Sequence, residues 1–270
     1  MKELYPYIIT GYKGFVGGNL AKSYSNTILW DKDDEYDENS IRDCKGIFHI
    51  GGCADLREPD INNMFYYNFE RSRQLFSLAK KWNKRVVFAS SSAIYGNGLG
   101  PTNSYSWSKV CTEELGVEML GDKFTSLRFF NVYGLGEEHK GLMSSIPYQI
   151  YNSDSFGIFP VTGYTDISPR RDFVWVEDVI NALKLSMNNR IDGVYDVGTG
   201  NPTPYSKICE IMDTPYYYTN SSEKPIGYQD YTCANMDKFL PGWDVTKPID
   251  GIRNYKEQMD ERTKVLTNSK

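Results

Sequence analysis

The sequence predicts an α/β fold, a doubly wound parallel sheet with a smaller, loop-rich C-terminal region. Three observations predict it. Apolar runs of strand length alternate with segments of helical period through the first half of the chain. The run R-V-V-F-A at 85–89 is apolar on both faces, as a strand covered by helices on each side must be. Three glycines, Gly11, Gly14 and Gly17, stand where the first strand turns into the first helix.

The elements follow in order. Residues 5–10 read as the first strand, 15–24 as the first helix and 27–30 as a second strand closed by Asp31. The acidic stretch 31–38 reads as a solvated loop. Residues 46–50 form a third strand, 62–82 carry a helical pattern, 104–120 are helical and 124–129 are again a strand. Right-handed crossovers then place the helices on both faces. Past about residue 135 the regularity weakens into a stretch rich in Gly, Ser, Tyr and Pro. Residues 173–176 and 193–197 still read as buried strands, with a helix at 178–187 between them. From Pro202 the chain reads as a loop-rich cap, frayed at 267–270. The expected division is 1–135, with 171–200 returning to it, and 136–270 as mainly a substrate-binding domain.

Composition narrows the function. The chain has 270 residues, 30 Lys plus Arg against 35 Asp plus Glu, and a formal charge of −5. That balance argues against a nucleic-acid-binding surface. Apolar residues make up 40% and charged residues 24%, too apolar for disorder. No apolar run nears the roughly 18 residues of a membrane span, and the N-terminal M-K-E-L-Y-P has no signal-peptide character, so no membrane and a cytoplasmic setting are expected. Five cysteines without C-x-x-C spacing and two histidines give neither a disulfide framework nor a metal site. His49, inside a strand, reads as a core or turn-supporting histidine, and Cys53 as a packing residue near a nucleotide pocket.

The glycine turn T-G-Y-K-G-F-V-G at 10–17 is suited to a dinucleotide. Glycine lets the backbone approach a pyrophosphate, and the helix behind it aims N–H groups and dipole at the anion. Asp31, twenty residues after Gly11, is placed to bind ribose hydroxyls, or else simply opens the acidic loop. Its carboxylate favours NAD, whereas Lys32 beside it suits the 2′-phosphate of NADP. The cofactor is therefore NAD or NADP.

Tyr105 and Lys109 stand four apart on one helical face. An ammonium there lowers a tyrosine pKa and equips the phenol to take or return a carbinol proton. Ser90 and Ser91 leave the buried strand at the carboxyl edge, where open α/β sheets bind ligands. A hydroxyl there can hold an oxygen that cycles between alcohol and carbonyl.

Together these segments resemble the extended short-chain dehydrogenase/reductase family, the nucleotide-sugar epimerases and dehydratases of Rossmann type. The likeness runs through TGYKGFVG, FASSSAIYG, YSWSK, LRFFNVYG, RRDFVWVEDV and YDVGTG. The resemblance implies a nucleotide-sugar substrate, a tightly bound cofactor and an isomerase. It implies Ser91 as catalytic serine, Tyr105 as acid/base and Lys109 as the ligand of the nicotinamide ribose. Phe15, Val16 and Asn68 would touch or frame the cofactor. The segment around His139-Lys140-Gly141 resembles ADP-L-glycero-D-manno-heptose 6-epimerases, in which the lysine is a second acid/base group facing the sugar. Carried over likewise, Asn131, Arg171 and Tyr228 would contact substrate. Arg171 suits a diphosphate, and the alternative for Arg170-Arg171-Asp172 is a structural ion pair.

Departures bear on the sugar. Leu142, Gln149 and Gly227 stand where those epimerases typically have Ser, His and Arg; the 31–43 loop is short and 159–168 long. Ser92-Ala93 stands where dehydratases carry Asp-Glu, so dehydration is not expected. The alternatives are a UDP-glucose 4-epimerase-like enzyme, a net NAD(P)-dependent sugar-nucleotide reductase, or a non-enzymatic NAD(P)-binding subunit. The clustered tyrosines at 216–218 and 228–231 suit a nucleotide wall or an oligomer contact, and a homo-oligomer is expected.

Overall fold

Six parallel strands make the central sheet: β1 (Tyr7–Thr10), β2 (Thr27–Trp30), β3 (Gly46–His49), β4 (Val86–Ser91), β5 (Phe124–Phe129) and β10 (Gly193–Val197). Their order is β10-β5-β4-β3-β1-β2. The chain leaves β1 toward β2 and then returns to the other side of β1 with β3. That reversal makes the carboxyl end of β1 the switch point, where open α/β sheets bind their ligands. The structure is a computed structural model, and it describes residues 5–55, 58–96, 98–161, 167–220 and 228–268. The expected long loop 159–168 lies largely outside them, as does Gly227.

The chain forms two compact units. The first comprises 1–129, 179–197 and 237–243, and holds the whole sheet. Between its strands run α1 (Phe15–Lys22), α2 (Glu38–Asp43), α3 (Ile61–Phe65), α4 (Arg71–Lys81) and α5 (Ser104–Leu120). Ile8, Ile47, Val86, Phe88 and Phe124 of the strands pack with Ile41, Leu75, Phe76 and Leu120 of the helices. Each such side chain contributes on the order of 2 kcal/mol through burial.

The second unit comprises 130–178, 198–236 and 244–270. Its strands are short pairs: β6 (Asn131–Tyr133) with β9 (Phe173–Trp175), β7 (Phe156–Ile158) with β12 (Tyr216–Tyr218), and β8 (Arg170–Arg171) with β11 (Thr203–Pro204). Its helices include α6 (Ile146–Tyr151), α8 (Tyr205–Met212) and α9 (Pro248–Asn268), and α7 (Val176–Asn188) leads out of it. Tyr133, Ile150, Phe173, Tyr205, Ile208, Ile252 and Tyr255 form its core.

Several expectations are corrected. The helix expected over 62–82 is α3, a π-helical turn over Tyr66–Glu70, and α4. Residues 38–43 of the expected acidic loop region form α2, capped by Asp37, whose carboxylate accepts from the Ser40 N–H at 2.8 Å. The strand at 173–175 pairs with β6, outside the central sheet. The cap after Pro202 contains two full helices, and the C-terminus is helical to Asn268. No helix among the described residues is long and apolar enough to cross a membrane.

Candidate active site

The glycine turn is shaped by close approach. Gly11 has φ +70°, and a Cβ there would stand 2.6 Å from Gly51 Cα. A Cβ on Gly17 would stand 2.2 Å from the Gly11 carbonyl oxygen, so only glycine lets α1 start this close to β1. Gly14 is the N-cap of α1 and brings no side chain to its first N–H groups, which leaves that end to an anion. Phe15 begins the helix buried, Val16 is half-buried beside it, and Gly17 is buried. Asp31 follows β2 with its carboxylate only 22% exposed, 3.5 Å from the Lys13 ammonium. Lys32 lies over the Tyr67 ring at 5.7 Å. These features fit an adenine dinucleotide: a cradle with no room for a methyl, and an acid at the neighbouring strand end. Lys13 is the cation closest to that acid.

Tyr105 and Lys109 owe their common face to the start of α5. Asn103 caps the helix by accepting from the Ser106 N–H at 2.8 Å, and the Ser106 hydroxyl accepts from the Asn103 N–H at 3.1 Å. This reciprocal cap contributes on the order of 1 kcal/mol. Lys109 is buried, donates to the Ala89 carbonyl at 2.9 Å, and lies 4.9 Å above the Phe88 ring. Burial brings its amine down to about 8. Ser91, at the end of β4, accepts from the Ala93 N–H at 3.1 Å and hydrogen-bonds the Tyr105 phenol.

The sequence expectation for Tyr105 is corrected. Burial raises its pKa, and the Ser91 hydrogen bond opposes that. The Lys109 ammonium sits 6.0 Å from the ring centroid and donates to the Ala89 carbonyl, while burial is the largest influence on the phenol.

A further turn stands on Tyr95. It closes the 3₁₀ turn Ser92–Tyr95 that Ser91 caps. Its hydroxyl donates to Asp196 at 2.7 Å and accepts from Arg128 at 2.7 Å, and Arg128 pairs with buried Glu113. Burial first, then Asp196, pushes the phenol up to about 12, so it stays a neutral donor.

Asn68 lies buried in the π turn. Its Oδ1 accepts from the Cys53 N–H at 2.7 Å, and its amide donates to the Cys53 carbonyl at 3.0 Å and to Ser108 at 2.8 Å. It thus fixes the 51–53 loop. Cys53 acts electrostatically on both Tyr105 and Lys109, which puts it near that pair. His49 is turn-supporting, as expected. Burial takes it down to about 3, so it is neutral. Its ring bonds Thr10 at 2.8 Å and Ser72 at 2.7 Å. Ser72 spends its hydrogen on the Asn68 carbonyl, so His49 Nε2–H donates to Ser72 and Nδ1 accepts from Thr10. Thr10 in turn accepts from the Gly51 N–H at 2.9 Å.

In the second unit Arg171 lies 4.8 Å over the Tyr228 ring and 5.6 Å from Tyr205, and donates twice to the Gln229 carbonyl, at 2.9 and 2.8 Å. The alternative of an Arg-Arg-Asp ion pair is not what forms. Asp172 is buried and instead accepts from Thr199 N–H and hydroxyl, Gly200 N–H and Ala234 N–H, at 2.6–2.9 Å. Asn131 spends both amide hydrogens, on the Asp172 carbonyl and Thr232, each at 2.9 Å. What it can offer a ligand is its oxygen. Lys140 is half-buried in the 3₁₀ turn Glu138–Met143, and burial lowers its amine.

The model of the family described as NAD dependent epimerase/dehydratase matches residues 7–198. The chain belongs to that family. Among curated relatives, the chain is 29% identical to the ADP-L-glycero-D-manno-heptose-6-epimerase of Alkalilimnicola ehrlichii, over 96% of this chain and 99% of that one. It is 26% identical to the enzyme of the same name from Brachyspira hyodysenteriae, over 94% and 98%. The crystal structure of the Helicobacter pylori ADP-L-glycero-D-manno-heptose-6-epimerase has a TM-score of 0.81 to it at 23% identity, covering 96% of this chain and 97% of that one. The first alignment takes 318 positions against a 270-residue chain, so that relative carries segments this chain lacks.

The sequence missed Lys13, the hubs Glu137 and Asp172, and the Tyr95 clamp. Lys13 carried a signal, since a cation inside a glycine turn stands close to whatever that turn binds. The buried acids carried none, because Asp172 and Glu137 each gather at least one partner distant in the chain.

Proposed function

We propose that this protein is an ADP-glycero-manno-heptose 6-epimerase, inverting a carbinol carbon through a transient ketone. The supporting observation is the Ser91, Tyr105 and Lys109 constellation beside a glycine cradle, in a chain that resembles curated heptose 6-epimerases almost end to end. When bound, the nicotinamide supplies the acceptor and donor of hydride. Gly11, Gly14, Gly17 and Asp31 hold the dinucleotide, and Lys109 its nicotinamide ribose. Ser91 orients the reacting oxygen by hydrogen bonding. Tyr105 takes the carbinol proton as the ketone forms. Its neutral resting state, raised by burial, suits a group that charges only when a cation binds alongside. Lys140 serves the second proton transfer, because the new alcohol forms on the opposite face. Arg171 and Tyr228 hold the nucleotide diphosphate, and Asn131 accepts from a sugar hydroxyl. Asp31 favours NAD, while Lys13 and Lys32 keep NADP within reach.

The test is direct. Protein given ADP-D-glycero-D-manno-heptose without external reductant should yield the 6-epimer of equal mass. In D2O the product should carry no deuterium at C6, since hydride passes without exchange. Lys140→Ala should cost at least a hundredfold. UDP-glucose turnover in place of heptose, or stoichiometric consumption of NAD(P)H, would overturn the assignment in favour of the 4-epimerase-like or reductase readings.

A further inference from the structure

Lys140 does not stand on a regular element. It lies in the 3₁₀ turn, its N–H donating to the Glu137 carbonyl at 2.9 Å, and the backbone reverses at Gly141. Beneath that turn the Glu137 side chain is fully buried. Its Oε1 accepts from the Gly134 N–H at 3.2 Å, the Ser145 hydroxyl at 2.7 Å and the Tyr255 hydroxyl at 3.2 Å. Its Oε2 accepts from the Ser145 N–H. Gly134 and Ser145 bracket the segment that carries Lys140, and Tyr255 ties it to α9. One carboxylate therefore closes the loop with the lysine inside it.

Taking a carboxylate out of water costs several kcal/mol unless donors and a nearby cation compensate. Four donors hold its geometry, and Lys140 is the cation on which its charge acts. The other charged and titratable groups of this region are Glu138 and His139 in the turn, Tyr148 on α6, and Tyr255 and Arg262 on α9. Arg262 pairs with Glu138, and burial keeps Tyr148 and Tyr255 neutral. Among the described residues, burial lowers the Lys140 amine and the Glu137 charge opposes that.

We propose that Glu137 is the positioning residue for Lys140: its buried carboxylate ties residues 134, 145 and 255 together, closes the turn that presents the lysine and holds a negative charge beneath it. The inference rests on the reading of Lys140 as the second acid/base group. Without the charge, burial would leave more of the lysine as free amine, which cannot donate.

Competitive acetylation of the full-length protein across pH, read by mass spectrometry at the Lys140 peptide, tests it without relying on activity. In Glu137→Gln the labelling midpoint should fall by about one pH unit, or about tenfold more free amine at a given pH below it. Glu137→Asp, which keeps the charge on a shorter side chain, should show about half of that fall, and Tyr255→Phe, which removes a donor but no charge, should leave the midpoint in place. Should Glu137→Gln not fold, a smaller fall of the midpoint in Glu137→Asp carries the test. The alkaline limb of epimerisation should move down with the midpoint. An unmoved midpoint in folded Glu137→Gln, or in Glu137→Asp if only that variant folds, overturns the inference even if Lys140→Ala is inactive. A moved midpoint with a fully active Lys140→Ala would leave Glu137's hold on the lysine standing and remove the catalytic reading.

Discussion

In the first unit the buried backbone runs in ladders, six parallel strands of four to six residues. In the second the strands are two or three residues long, and buried carboxylates take over the work of the ladder. Asp172 receives three backbone N–H groups from loops at 199–200 and 234. Glu137 gathers residues 134 and 145, and Asp178 receives the Thr246 N–H at 3.0 Å. Buried N–H groups must find acceptors in either case. A sheet supplies them by repetition. A loop-built region needs a side chain with several lone pairs at each crossing. The first unit can therefore absorb a change at one position, whereas the second depends on single residues.

The largest expected effect tests the chemistry that the ladders support. Tyr105→Phe should lower turnover about a thousandfold, about 4 kcal/mol of barrier, with bound cofactor still released on denaturation. Retained activity would remove proton transfer from the first unit. Next, Asp172→Ala leaves four donors without their acceptor and should cost about 3 kcal/mol in urea unfolding. Ser126→Ala, at a buried strand hydroxyl of the first unit bonded to Glu113, should cost about 1 kcal/mol. Equal losses would erase the contrast between ladder and hub.

Smaller effects come with pH. His49 has a folded pKa below its unfolded value, so from about pH 6.5 down toward 3 the unfolded chain binds a proton that the folded chain refuses. Stability should fall with falling pH by up to about 1.4 kcal/mol per unit in that window, and His49→Gln should flatten the slope. Lys109 acts at the other end. Its charge is lost as pH rises past about 8, so cofactor affinity should weaken there severalfold, and Lys109→Met should bind weakly at every pH. Lys13→Ala, at an exposed pair, should change NAD against NADP preference by no more than a few-fold in equilibrium titration.

Much of the first unit was legible. Thr27–Trp30, Ser104–Leu120, Phe124–Phe129 and Gly193–Val197 are where the apolar runs and the helical pattern put them. Asp31 and the glycines stand together at the switch point because the turn and the next strand end are local features. The π turn around Asn68 was not legible, since one extra residue in a turn leaves the apolar pattern intact. In the second unit Pro204 and Pro248 mark the starts of α8 and α9, and the crowd of tyrosines hid that signal. Glu137 and Tyr255 are 118 residues apart, beyond any periodicity. The lowered tyrosine expected beside Lys109 is not found because burial, which the i, i+4 spacing does not reveal, raises the phenol.

The line from Gly51 through Thr10, His49 and Ser72 to Asn68 carries one more consequence. Each link has a single hydrogen, and every one points the same way. Turning any one of them round would require the whole row to turn, and at both ends stands a main-chain group of fixed polarity. The tautomer of a neutral imidazole is thereby dictated from the rim of the nucleotide cradle, and the strand that begins the cradle and the turn that holds Asn68 share one proton order.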